Sequence, residues 1–242
     1  MKRILTTILL LLGLNSIGQI VSFDTLQLPK GGQLEELQEE ELSFPIIRTG
    51  NKKIDKLINT DLVNRFTANE YPKLPADSAL IKWAGERMTF LDFKVTYIKN
   101  NIISLNISAE GCGANCSDWT DYFNYSTVTG KFVTIGEIVD TSGKFKERVI
   151  ADKNKQYDEQ RKELLELSLE PDSEIDKDTY KWALQCYNDC EQSFDLSTYA
   201  LYPDHLEIIQ KCYFPNALNF LTSDIDLIYN YTDISEYLKI KN

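Results

Sequence analysis

The stretch that decides the fold is "FLDFKVTYIKNNIISLNISAEG", residues 90–111. Apolar residues alternate with polar ones on both sides of an Asn100-Asn101 pair. The alternating positions are Phe93, Val95, Tyr97, Ile103, Leu105 and Ile107. Alternation is typical of β-strands with one buried face, and asparagine tolerates the left-handed backbone of a tight turn. The stretch therefore predicts a β-hairpin.

A second hairpin is predicted from "WTDYFNYSTVTGKFVTIGEIV", residues 119–139, with Thr129-Gly130 at its turn. The preceding "AEGCGANCSD" then connects two hairpins. Strand alternation places Trp119 on one face and Tyr122 on the other. One of these faces is expected to belong to the core. Only some of the aromatic residues in this stretch, Trp119, Tyr122, Phe123 and Tyr125, can therefore form a binding surface.

Helical periodicity flanks these strands. Residues 51–70, "NKKIDKLINTDLVNRFTANE", place apolar side chains at helical spacing behind Asn51, a residue type that caps helix N-termini. Residues 142–192 are charged and mostly helical in pattern, and residues 194–215 and 224–238 return to strands before a short final helix. Elements grouped in this way predict an α+β domain, a mostly antiparallel sheet built from hairpins and packed with helices.

The beginning of the chain has the three-part pattern of a secretory signal peptide. Two basic residues precede an apolar run from Ile4 to Leu14, and small and polar residues follow. The run is shorter than the roughly 20 residues that a membrane span needs. We predict a signal peptide at 1–18, an acidic leader at 19–41 and a single domain at 42–242. The expected location after signal-peptide cleavage is periplasmic or extracellular.

The chain is strongly acidic, with 26 Lys and Arg against 37 Asp and Glu and a net charge of -11. Loss of the predicted signal peptide removes two basic residues and moves the charge from -11 to -13. Nucleic acids and anionic membranes attract positive charge, so the composition argues against both as partners. No later stretch has the length and apolarity of a membrane span. A charged partner is expected to be basic.

Five cysteines are disulfide candidates: Cys112, Cys116, Cys186, Cys190 and Cys212. Small and turn-forming residues between the first two permit a close bridge, and we predict that this pair is oxidised. Cys186 and Cys190 lie four residues apart in a helical pattern, where disulfide geometry is poor. Either the helix ends between them or one of them reaches Cys212, and an odd count leaves one thiol over. Zinc sites more often combine C-x-x-C spacing with histidine, so no metal or other cofactor is predicted.

No convincing catalytic site emerges from the motifs. His205 needs a positioned partner to act as an acid or base, and Asp204 is adjacent in sequence, where strand neighbours face opposite ways. Asp118 and Asp121, with Glu110, could form the carboxylate pair of a glycoside hydrolase, although acidic residues around a loop more commonly solvate it. Phosphate-binding loops, dinucleotide fingerprints and G-x-S-x-G turns are absent.

The residues that follow the first cysteine pair are better suited to binding. Trp and Tyr side chains stack on sugars or anchor protein partners. Carboxylates steer the approach of cationic partners. Trp119, Tyr122, Asp118 and Asp121 are therefore the predicted ligand-binding residues.

In the order of its features, the chain from residue 42 to residue 240 resembles DUF3298, an exported bacterial domain of unknown function. "FPIIRTGNKKIDKLIN" is similar to the entry strand and first helix of that domain. "IISLNISAEG" and "DYFNYSTVTGKFVTIGEIV" are similar to its central strands, and "FDLSTYALYPDHLEIIQKCYFP" and "IDLIYNYTDISEYL" to its closing elements. The resemblance implies the same α+β fold.

The DUF3298 resemblance also implies a binding role. This domain occurs in anti-sigma factors of the RsiV type, which sense lysozyme by binding it, and beside a peptidoglycan deacetylase domain without supplying that chemistry. The chain has "GCGANC" where the family has a glycine-rich loop with a nearby histidine, and shows neither a transmembrane segment nor a sigma-binding region. Signalling is therefore not implied.

Two functions remain as expectations. The first is a non-catalytic binding domain for an envelope or extracellular ligand, either a basic protein such as lysozyme or a cell-wall glycan. The alternative is a glycan-directed hydrolase that uses acidic residues. The lack of a catalytic constellation favours the binding domain over the enzyme.

Overall fold

The computed structural model describes residues 21–29, 36, 42–113, 115–222 and 224–240. The predicted signal peptide lies outside these residues, and so does most of the predicted leader. None of the helices in the described ranges is long and apolar enough to cross a membrane.

The first sheet has two antiparallel strands, β1 (Ser22–Leu28) and β2 (Leu42–Arg48). The predicted leader includes the first of these strands, and the second corresponds to the entry strand that the DUF3298 resemblance implies. Helix α1 (Lys52–Phe66) follows, and Asn51 caps it because its side-chain oxygen accepts hydrogen bonds from two backbone N–H groups in the first turn. Helix α2 (Ala76–Arg87) leads directly into the second sheet.

The hairpin predicted from residues 90–111 is confirmed. Strands β3 (Met88–Lys99) and β4 (Ile102–Cys112) pair antiparallel. Asn100 and Asn101 connect them with φ angles of 56° and 60°. Both angles lie in the left-handed region that a two-residue hairpin turn requires and that asparagine tolerates.

The second predicted hairpin is far shorter than expected. Strand β5 (Cys116–Ser126) pairs along its length with β4, so the cysteine stretch is the turn of a hairpin and not a connection between two hairpins. After the turn at Thr129-Gly130 the chain pairs with the end of β5 through a bridge between Tyr125 and Phe132, and it then enters the short helix α3 (Ile135–Ile138). Thr134 and Glu137 form a capping box that begins this helix and ends the extended conformation.

The rest of the chain contains two longer helices, α4 (Gly143–Ser168) and α5 (Lys177–Gln192), and a third sheet. This sheet is antiparallel in the order β6-β7-β8. Its strands are β6 (Tyr199–Leu201), β7 (His205–Lys211) and β8 (Asp224–Asn230). Two 3-10 helices follow β7 and β8, at Asn216–Leu221 and Ser235–Tyr237. Three antiparallel sheets with packed helices confirm the predicted α+β class.

The buried side chains form two clusters. The first lies among β1 to β5, α1 and α2, and includes Phe44, Ile58, Leu62, Leu91 and Leu105. The second lies among α3 to α5 and the third sheet, and includes Phe145, Val149, Tyr157, Ile208 and Leu227. The strands β4 and β5 carry side chains of the first cluster on one face, while β6 contacts both of these strands.

Candidate functional site: an acidic groove lined by tyrosines

A groove of about 240 Å³ lies between β5 and the segment that runs from the end of α5 to the end of β7. Asp121 and Tyr122 of β5 line it, together with Lys211 and Tyr213. Four further residues act electrostatically on Tyr122: Tyr202, Glu207, Asp224 and Asp226. We call this set of eight residues the acidic groove.

The third sheet holds its charged residues in place by strand alternation. On β8 every second residue is buried, namely Ile225, Leu227 and Tyr229, so Asp224 and Asp226 project from the other face. Asp224 lies opposite Lys211 on β7, and Asp226 lies opposite Ile209. Because directly opposed residues of an antiparallel pair share a face, the acidic residues of β8 and the polar residues of β7 form one surface.

Two carboxylates of the groove, those of Asp121 and Asp226, lie in an unfavourable environment. Partial desolvation raises the pKa of Asp226, although the residue stays exposed to solvent; the carboxylates of Glu207 and Asp224 raise it further, and Lys211 opposes these effects. Burial also raises the pKa of Asp121, against a hydrogen bond from Trp119 and the charge of Lys211. The Lys211 ammonium lies 3.8 Å from Asp224. A single lysine among these acidic groups leaves the groove negative.

Burial and the nearby carboxylates also raise the pKa values of two tyrosines in the groove. Burial raises the pKa of Tyr202 to about 12, with Glu207 and Asp226 adding to the effect. Burial and four nearby groups, led by Glu207, raise the pKa of Tyr122 as well. Both phenols therefore stay neutral at physiological pH and place aromatic rings near the carboxylates, and such rings attract ammonium and guanidinium groups.

The structure places the four predicted binding residues differently. Asp121 and Tyr122 line the groove. Asp118 is exposed and acts electrostatically on Tyr213, so it lies at the margin. Trp119 packs against the first core cluster, with its ring edge-on to Trp83 at 6.4 Å between centroids. The role of these four residues in binding stays a prediction.

Six residues of the groove were not predicted from the sequence, because they come from other segments of the chain. These are Tyr202, Glu207, Lys211, Tyr213, Asp224 and Asp226. The alternation in "DIDLIYN" is a signal that β8 has a polar face. No local pattern indicates that this face lies beside β5.

His205 departs from its expected surroundings. Its Nδ1 atom lies 2.7 Å from a carboxylate oxygen of Asp204, and its ring stacks on Tyr202 at 4.4 Å between centroids. The expectation that Asp204 and His205 face opposite ways is wrong, because Asp204 belongs to the turn before β7, where strand alternation does not apply. Glu110, considered with Asp118 and Asp121 as a carboxylate group, accepts a hydrogen bond from Thr89 at 2.6 Å.

The structure contains two disulfides. Cys112 and Cys116 are joined across the β4–β5 turn, as predicted, with their Cα atoms 4.0 Å apart. Cys190 of α5 is joined to Cys212, which selects one of the two alternatives left open by the sequence. Cys186 is the free cysteine in the described part of the chain. Among the described residues, no group of three or more His, Cys, Asp or Glu side chains is placed to hold a metal ion.

Two solved structures of DUF3298 family proteins share this fold. One, from Bacteroides fragilis NCTC 9343, has 11% sequence identity and a TM-score of 0.52, covering 90% of this chain and 93% of the other. The second, from Pseudomonas aeruginosa PAO1, has 15% identity and a TM-score of 0.50, covering 91% and 94%. The chain has the fold of DUF3298 proteins. The resemblance predicted from the sequence is thereby confirmed.

By sequence alone, the chain matches no family model and no curated protein. The likeness to the two DUF3298 structures therefore rests on three-dimensional arrangement. At this level of identity it establishes the fold of the DUF3298 family, and the chemistry of the acidic groove has to be argued from the residues of this chain.

We expect Asp226→Asn to stabilise the protein slightly at neutral pH. The pKa of Asp226 is raised above its ordinary 3.8. Between the ordinary and raised values the folded state binds more protons than the unfolded state, so stability falls as pH rises through this interval. Asn removes that loss, and an exposed side chain limits the gain to about 0.5 kcal/mol.

Urea unfolding at pH 4 and pH 7 measures this effect. The change in free energy of unfolding from pH 4 to pH 7 should become more favourable to the folded state in Asp226→Asn and stay unchanged in Asp172→Asn, which alters an exposed residue before α5. A loss of stability in Asp226→Asn at pH 7 would contradict an unfavourable environment for this carboxylate.

Proposed function

We propose that the acidic groove binds lysine or arginine side chains of a basic extracellular protein, without chemical turnover. The observation that carries this proposal is the grouping of Glu207, Asp224 and Asp226 around Tyr122, with Asp121 on the wall of the same groove and Lys211 as the nearby cation. Raised carboxylate pKa values mean that ionisation is disfavoured there, and an added cation relieves this cost. The groove is therefore better matched to a bound cation than to water alone.

Three further features support this proposal. The net charge of -11 attracts a basic protein from a distance. Tyrosine faces beside the carboxylates add cation–π attraction to the ion pairs. The fold is that of DUF3298 structures, and the resemblance connects this domain to RsiV-type anti-sigma factors, which bind the basic enzyme lysozyme. An exported location, predicted from residues 1–18, would place the groove where such proteins are met.

We expect the double variant Glu207→Gln/Asp226→Asn to bind lysozyme about tenfold more weakly than the unaltered protein, which corresponds to about 1.4 kcal/mol. Two carboxylates of the groove are lost, while the shapes of the side chains are kept. Isothermal titration calorimetry of the exported chain with lysozyme measures the change. Lysozyme with acetylated lysines should bind weakly to either protein, because acetylation removes the positive charge.

The matched control is Asp172→Asn/Glu174→Gln, which removes the same charge from the exposed segment before α5. This control should retain affinity and lose only some of the association rate that long-range attraction supplies, since such steering is screened beyond about 8 Å at physiological salt. Equal weakening in both double variants would assign the effect to net charge and not to the groove. Hydrolysis of wall fragments that disappears in Asp118→Asn or Asp121→Asn would replace the binding role with an enzymatic one.

A further inference from the structure

A second cavity, of about 540 Å³, lies between the first sheet, α1 and the beginning of α2. None of its lining residues belongs to the acidic groove. Its apolar lining includes Leu26, Ile46 and Ala76, which are partly exposed, above the buried side chains of the first core cluster. The volume falls within the range of about 300–1,000 Å³ that is usual for small-molecule sites.

The charged lining of this cavity is mainly basic. Arg48, Lys52 and Lys56 line it, together with Asp55 and Asp77. Two of these groups are already engaged within the protein. The Arg48 Nε atom lies 2.8 Å from Asp24, and one Asp55 oxygen accepts hydrogen bonds from the backbone N–H and the hydroxyl of Thr49, each at 2.7 Å.

Lys52 and Lys56 are exposed side chains one turn apart on α1. Within the part of the chain that the structure describes, neither ammonium group has an ion pair to a carboxylate. The position of Lys52, the first residue of α1, is also unfavourable for the helix, because cations in the first turn oppose the helix dipole. In a chain of net charge -11, two such lysines at the mouth of an apolar cavity cost stability and fit an anionic ligand.

We propose that this cavity binds a single-chain anionic amphiphile, a long-chain carboxylate being the simplest case. The alkyl chain lies along Leu26, Ile46 and Ala76, and the carboxylate lies at Lys52 and Lys56. An apolar lining stabilises the chain by removing it from water, and two ammonium groups favour an anion over a neutral head group. This site is independent of the acidic groove and of its proposed cationic partner.

The test is a calorimetric titration of the chain without the predicted signal peptide, residues 19–242. Dodecanoate is the ligand and is kept at concentrations where it is monomeric. We expect one molecule bound per chain, with dodecanol binding at least tenfold more weakly and acetate showing no saturation over the same range. The double variant Lys52→Gln/Lys56→Gln should weaken dodecanoate binding at least tenfold. The control Lys155→Gln/Lys162→Gln, at α4 lysines that are 76% and 75% exposed, should bind as the unaltered protein does.

A second variant tests the apolar part of the site without changing charge. Ala76→Leu enlarges a lining residue in the first turn of α2 and should also weaken dodecanoate binding several-fold. Unchanged affinity in either Lys52→Gln/Lys56→Gln or Ala76→Leu overturns the proposal. So does uptake of many molecules per chain, or sedimentation with phosphatidylglycerol vesicles by a protein that binds no monomeric dodecanoate.

Discussion

Replacing Tyr199 with alanine is expected to lower the free energy of unfolding by about 3–5 kcal/mol, the range for removing a buried aromatic ring. Tyr199 begins β6 and is 1% exposed. Its hydroxyl donates a hydrogen bond to the carbonyl of Val133 at 2.7 Å. Its own carbonyl accepts one from the side chain of Asn124 at 2.9 Å.

The large effect follows from where β6 lies. Leu201, at the other end of this strand, donates its backbone N–H to the hydroxyl of Ser104 at 3.0 Å. Asn124 and Ser104 are opposed residues of β5 and β4, so β6 connects the second and third sheets through buried polar contacts. Alanine at Tyr199 would leave a cavity at this junction and an unpaired carbonyl at Val133.

Urea unfolding followed by tryptophan fluorescence and by circular dichroism measures the loss. Tyr199→Phe keeps the ring and removes the hydroxyl, so it should cost about 1–2 kcal/mol. Phe220→Ala, at a side chain that is 62% exposed, should stay within about 0.5 kcal/mol of the unaltered protein. Coincident transitions by both probes would agree with the single domain predicted for residues 42–242. A cost near zero for Tyr199→Ala would contradict the role assigned to β6.

Removing the Cys190–Cys212 disulfide by the double change to alanine is expected to cost about 3 kcal/mol. The bridge closes a separation of 22 residues, for which the loop-entropy account predicts slightly more than the 3 kcal/mol or so of a 15-residue loop. Cys212 is 1% exposed and packs in the second core cluster, within 3.3 Å of the Tyr157 hydroxyl. The disulfide thus ties the end of α5 to the chain that leaves β7.

The Cys112–Cys116 disulfide provides the comparison. It closes a separation of only four residues, so its removal by Cys112→Ala/Cys116→Ala should cost less, about 2 kcal/mol at most. Thermal unfolding of the two double variants without reductant measures the difference, and the unaltered protein in reductant should approach the less stable variant. Equal losses in the two variants would show that loop length is not what decides the contribution of these bridges.

Local patterns were sufficient for the elements whose structure is set by near neighbours. The alternation on both sides of Asn100 and Asn101 predicts β3, β4 and their turn, because period two and a left-handed pair leave few other conformations. Asn51 and the apolar spacing behind it predict α1. The close spacing of Cys112 and Cys116 predicts their bridge. In each case the interacting groups lie within a few residues of one another.

Such local patterns could not predict contacts between residues that are distant in sequence. Alternation in residues 119–126 predicts a strand, but its pairing with β4 along its whole length, and with the residues after Thr129-Gly130 only at its end, depends on which edges are available in the folded sheet. The choice of Cys190 for Cys212 depends on how α5 packs beside β7. Both outcomes are set by long-range packing, which a local window does not contain.

Some residues of the candidate site could likewise be predicted from local patterns, and the others could not. Asp121 and Tyr122 could be selected from the sequence because aromatic and acidic residues follow the cysteine turn. Glu207, Asp224 and Asp226 join them only because the third sheet packs beside β5, which brings residues about 85 to 105 positions apart into one electrostatic field. The charges are properties of the sequence. The desolvation and crowding that raise the pKa values of Asp121 and Asp226, and so favour a bound cation, arise only when the two sheets meet.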